Sequence, residues 1–97
     1  MKITTKSGFV CEIDEKTPKS WEFVKAIGKC QNEDTSLDGI VELIDVLLGR
    51  NGARALEKHV RKAHGYCDAQ AMYDEIDEIV NLINAETEKN SFTSQPQ

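Results

Sequence analysis

The sequence predicts a mainly α-helical single domain with a small N-terminal β-hairpin, an α+β fold whose helices form a four-helix-bundle-like core. Three observations carry that prediction. Leu37, Ile40, Val41, Ile44, Leu47 and Leu48 fall at the i, i+3, i+4, i+7 spacing of one helical face. The stretches 53–63 and 69–83 repeat the same period. The first residues instead alternate with a period of two around Ser7-Gly8, which is the pattern of a hairpin. With 97 residues, the chain suits one domain with one modest core. Its boundaries are expected at 1–85, followed by a polar, disordered tail over 86–97 that lacks any burial pattern.

The hairpin pairs Ile3-Thr4-Thr5 with Phe9-Val10-Cys11-Glu12-Ile13. Phe9, Cys11 and Ile13 share one face, with Val10 and Glu12 on the other, so one side of the sheet is packed. An isolated hairpin is marginal in water, so this one lies on the helices or pairs with another chain. Both edges of a two-stranded sheet are open, which makes a homo-oligomer one expected partner.

Thr17-Pro18 opens the first helix, with Thr17 as cap and Pro18 at the first helical position, and the helix runs to about Cys30. Trp21, Val24, Ile27 and Gly28 share a face that Phe23 and Cys30 extend. Trp21 is the sole tryptophan and is expected to anchor the core. Residues 31–35 form a polar loop.

The second helix, 37–48, is the organising element. Leu43 and Val46 widen its stripe past half the circumference, so neighbours are expected on several sides. Ser36 is placed to cap its start, and Gly49 to end it. After Arg50-Asn51-Gly52 the third helix buries Ala53, Leu56 and Val60 and stops at Gly65. Asp68 caps the fourth, whose seam is Ala69, Met72, Ile76, Ile79 and Ile83, with Val80 beside it. Asp74, Glu75, Asp77 and Glu78 are assigned to its solvated outer face.

Chemistry is sparse. Net charge is −5, which argues against nucleic-acid and anionic-membrane partners. No apolar run approaches the roughly 20 residues of a membrane span, and residues 1–6 lack the apolar core of a signal peptide. A cytoplasmic protein is expected. Cys11, Cys30 and Cys67 are an odd set at wide spacing, so neither a disulfide framework nor a zinc site is predicted. His59 and His64 lie about 140° apart around a helix and cannot chelate one metal together. No cofactor, metal site or catalytic residue is predicted, because no nucleophile elbow or phosphate loop frames the available Ser, His and Asp. Cys67 and His64 could meet in space, without a supporting motif. One local signal remains: Arg50, Arg54, Lys58, Arg61 and Lys62 form a basic stripe at spacings of three and four, after a short turn. That gives a superficial helix-turn-helix, an alternative nucleic-acid-binding surface, although a solvated face is the plainer reading.

The order of elements then resembles a known family. The hairpin leads into Lys19-Ser20-Trp21-Glu22, which stands where that family has an acidic-Trp-Glu pattern. An apolar helix ending Leu47-Leu48-Gly49 follows, then Leu56-Glu57-Lys58-His59, then a turn led by Gly65 into an acidic helix with Ala71-Met72. From Ile3 to Ala85 this is similar to the small tail assembly chaperones of long-tailed phages and prophages of Gram-positive bacteria. Ser20 and Gly65-Tyr66-Cys67 depart from the pattern, replacing an acidic residue and a basic, proline-like turn. The resemblance implies a non-enzymatic role: binding the long helical tape measure protein while the tail tube assembles. It also implies that a frameshifted longer form would begin near the polar tail. Binding is expected through apolar surface where the hairpin meets the helices, at Phe9, Trp21 and Phe23. A small DNA-binding regulator and a structural head–tail component are the alternatives.

Overall fold

Strand β1 (Lys2–Thr4) pairs antiparallel with β2 (Val10–Glu12), with Ile3 opposite Cys11. The computed structural model containing them describes the backbone of residues 1–90 and the side chains of 1–86. The alternation is as expected: Phe9, Ile13 and Ile3 are buried, Cys11 is half-buried, and Val10 and Glu12 face solvent. Gly8, at φ 95°, completes the turn, and Thr5 N–H donates to the Phe9 carbonyl at 2.9 Å. The hairpin lies on the helices, which is how its apolar face is covered.

A 3₁₀ turn (Thr17–Lys19) carries Pro18 in its first positions, so the proline opens this turn and not the α-helix. Helix α1 (Trp21–Gln31) starts three residues later than Pro18, with Ser20 as its cap; the Ser20 Oγ accepts from Phe23 N–H at 3.2 Å. That start sets the rotation of the helix. Ala26 is fully buried, and Phe23, Ile27 and Cys30 pack beside it. Trp21 is on the opposite side and 67% exposed, so it does not anchor the core.

Helix α2 (Ser36–His64) joins the expected second and third helices into two limbs around a kink. Gly49 is the kink, at φ 73° and ψ 172°, a region essentially reserved for glycine. The start of α2 is not capped by Ser36. Thr35 is the boundary residue and makes no side-chain cap bond, because its hydroxyl donates to the Lys29 carbonyl at the end of α1, at 3.0 Å. The first limb buries Gly39, Leu43, Ile44 and Leu47, whereas Leu37 and Val41 are each 63% exposed. Its inner face is therefore rotated from the centre of the apolar stripe toward Gly39, where α1 crosses. A Cβ on Gly39 would lie 2.5 Å from the Cys30 nitrogen, so only glycine admits this approach. Lys29 Nζ donates to Glu42 Oε1 at 2.8 Å across the same crossing.

The second limb buries Ala53, Leu56 and Val60 as expected and ends at Gly65, in the left-handed conformation at φ 83°. Helix α3 (Ala69–Asn90) is capped by Asp68, whose Oδ2 accepts from Ala71 N–H at 2.9 Å. Ile76, Ile79 and Ile83 close the core against both limbs and the hairpin. The helix continues through residues 86–90, where Glu and Lys favour helix. The rest of the expected tail, from residue 91, lies outside the described residues. Among the described residues no helix is long and apolar enough to cross a membrane.

Candidate functional site

The buried polar centre of the molecule is Glu75, 8% exposed and not on the outer face assigned to it. Its Oε1 accepts from Thr5 Oγ1 at 2.8 Å and its Oε2 from Ser7 Oγ at 2.9 Å. Ser7 Oγ also lies 2.9 Å from His59 Nε2, and the His59 ring packs on Phe9 with centroids 5.5 Å apart. One helical turn on, Glu78 Oε2 accepts from Lys6 N–H at 2.8 Å. Serine, histidine and a carboxylate thus meet, but with the wrong polarity for nucleophilic catalysis. The serine proton is donated to Glu75, so His59 must donate to Ser7 Oγ, whereas a general base must accept there. Glu75 touches the serine and not the far side of the imidazole, as an orienting carboxylate would. The arrangement pins the hairpin turn to the second limb of α2 and to α3. Nothing local in the sequence marks it, because its bonds from the hairpin turn to the helices span 52 to 70 residues.

The thiols are placed as packing groups. Burial, and then Glu12, pushes the Cys11 thiol up; burial, and then Glu42, does the same to Cys30. Both shifts oppose thiolate formation. Cys67 packs against the core, His64 is exposed, and no hydrogen bond joins them among the described residues. No group of three or more metal-ligating side chains is assembled among the described residues. The Tyr66 hydroxyl donates to Asp68 Oδ1 at 2.7 Å; that bond, followed by the Ala71 N–H, holds the Asp68 carboxyl below its ordinary value.

Arg50, Arg54, Lys58, Arg61 and Lys62 are all exposed, and among the described residues none forms an ion pair. They line the outer side of the second limb. The preceding connection has Gly49 as its single non-helical residue, where a helix-turn-helix has a turn of three or four.

The three expected partner-binding aromatics are not one surface. Phe9 is 6% exposed and belongs to the core. Phe23 is half-buried, packed on the core from α1. Trp21 alone stands out, and Val24, one turn on, is 51% exposed beside it. Gly28 follows on the same side, with open space above its Cα. Helix α1 therefore carries two apolar faces, one inside and one outside. Period counting merges them, because both recur every three or four residues. The separating signal was Ala26, a small residue that marks where backbones approach.

No family model, no curated protein and no solved structure matches this chain.

Proposed function

We propose that this chain is a non-enzymatic protein-binding module, docking a helical partner on the outward face of α1. Within that class the reading is a tail assembly chaperone of a long-tailed phage or prophage, working in the bacterial cytoplasm on the tape measure protein. The observation that carries it is the exposed pair Trp21 and Val24 on a helix whose other face is already in the core. Tryptophan is the residue most enriched among binding hot spots, and an uncovered apolar helix face is what a helical partner with its own apolar stripe would cover. Phe9 drops out of the contact set, and Phe23 supports the helix from beneath.

Co-expression with the tape measure protein tests this. Tagged wild-type chain should retain it, and Trp21→Ala should weaken retention by about 2 kcal/mol, roughly 30-fold in Kd, at an unchanged melting temperature. Retention that ignores Trp21→Ala would refute the surface. Retardation of duplex DNA at low salt, lost in Arg54→Ala, would favour the regulator, and presence in finished particles would favour a structural subunit.

A further inference from the structure

Two cavities of about 430 and 290 Å³ lie between α3 and the rest of the bundle. Ile40 and Tyr73 line both, so the two adjoin as halves of a trough divided at those two side chains. The floor of the larger half is Ile27, Leu43, Ile76 and Val80. That of the smaller is Ile44, Ala53 and Met72, with the exposed Val41 at its lip. Leu37, one turn before Val41, extends the apolar strip beyond the lip. Every charged residue lining the trough is acidic: Asp74 and Asp77 along one half, Asp45 and Glu57 along the other.

This follows from how charge is segregated along the chain. Residues 36–48 carry Asp38, Glu42 and Asp45 and no basic residue; residues 69–86 likewise carry only carboxylates. The lysines and arginines of α2 are gathered on its second limb, on the stripe from Arg50 to Lys62. A second copy of this chain would bring that stripe without an apolar ridge to fill the floor, since Ala53, Leu56 and Val60 are buried in its own core.

We propose that the trough is a docking site for an amphipathic helix whose apolar ridge is flanked by lysine or arginine. The floor takes an apolar stripe at i, i+4 spacing, and the four carboxylates meet its basic flanks. Exposed charge pairs contribute little affinity but select sign and orientation. The site is separate from the α1 face and stands or falls independently of it.

The test uses a fluorescein-labelled synthetic helix of about 18 residues, roughly 27 Å long, with a leucine ridge flanked by lysines. A twin carries glutamate for lysine, and a third peptide scrambles the lysine version. Fluorescence anisotropy should show saturable binding of the lysine helix, at least about tenfold tighter than either control, with the margin over the glutamate twin shrinking at high salt. Val41→Asp, at an exposed position, should weaken it about tenfold or more, and Asp74→Lys with Asp77→Lys should reverse the preference between the twins. Trp21→Ala should leave it unchanged. Equal binding of the lysine helix and its scramble, or indifference to Val41→Asp in a variant that melts like wild type, would overturn the proposal. Peptide binding lost in Trp21→Ala but kept in Val41→Asp would also overturn it while leaving the α1 face standing. Binding at the trough without retention of the tape measure protein would do the reverse.

Discussion

Adding one methyl group at Gly39 should destabilise the protein, although alanine is the better helix former. The methyl would sit 2.5 Å from the Cys30 nitrogen, 2.7 Å from the Lys29 carbonyl carbon and 2.8 Å from Lys29 Cβ. Ordinary carbon contacts begin near about 3.5 Å, so α1 and α2 must separate by roughly 1 Å. Two of the three atoms are backbone, so no rotamer change relieves the overlap. Alanine gains about 0.5–1 kcal/mol over glycine inside a helix, and overpacking of this kind costs about 1–3 kcal/mol, more where backbone must move. The net loss is about 1–2 kcal/mol, or roughly 4–16 °C in melting temperature for a domain of this size. Gly28→Ala is the matched control. Gly28 is inside α1, exposed, with nothing within 4 Å of the new Cβ, so the same change should raise stability by about 0.5–1 kcal/mol. Thermal melts followed by circular dichroism read both. A Gly39→Ala protein that melts at or above wild type would show that the two helices do not cross this closely.

Three further outcomes are expected. Glu75→Ala leaves the Thr5 and Ser7 hydroxyls without their shared acceptor and should cost about 1–3 kcal/mol in urea unfolding, with faster amide exchange at Thr5 and Phe9; unchanged exchange would mean the turn is held by other contacts. Ile44→Ala removes a side chain only 7% exposed at the middle of the first limb and should cost about 2–5 kcal/mol, so a melt within a few degrees of wild type would contradict its burial. Asp68 is held below the ordinary carboxylate value of 3.8 by the Tyr66 hydroxyl and then the Ala71 N–H, so its contribution is complete above pH 3.8 and fades as pH falls through the lower folded value. Asp68→Asn can still cap but cannot titrate, and its stability difference from wild type should narrow on acidification below that window; a constant difference would refute the assignment.

Much of the framework was legible because it rests on local signals. Period-two alternation placed Phe9 and Ile13 inside, Asp68 and Gly65 marked helix ends through their own side-chain and backbone chemistry, and Leu56, Val60, Ile76, Ile79 and Ile83 followed the helical period inward. Helix rotation is not legible in the same way. Apolar size is a poor guide to the inner face here, because the α1–α2 crossing is set by its smallest residues, Ala26 and Gly39, and this turns Trp21, Val24, Leu37 and Val41 outward. The Glu75 cluster was invisible for another reason: a carboxylate among three others on one helix looks solvated until the hairpin turn is seen resting on it. The cap expected at Thr17 falls instead to Ser20, three residues on, and the start of α2 has no side-chain cap, because the Thr35 hydroxyl bonds back to the end of α1 and that of Ser36 to the Glu33 carbonyl.

The most direct test of the proposed role uses Trp21 itself, since the chain has one tryptophan and its emission reports one place. In the free protein its fluorescence should be that of a solvated indole, quenched readily by iodide, as 67% exposure requires. Saturation with the tape measure protein, or with a tryptophan-free helical segment of it, should shift the emission to shorter wavelength and remove the iodide access. Saturable binding that leaves emission and quenching unchanged would contradict the proposal that the outward face of α1 is where the partner docks.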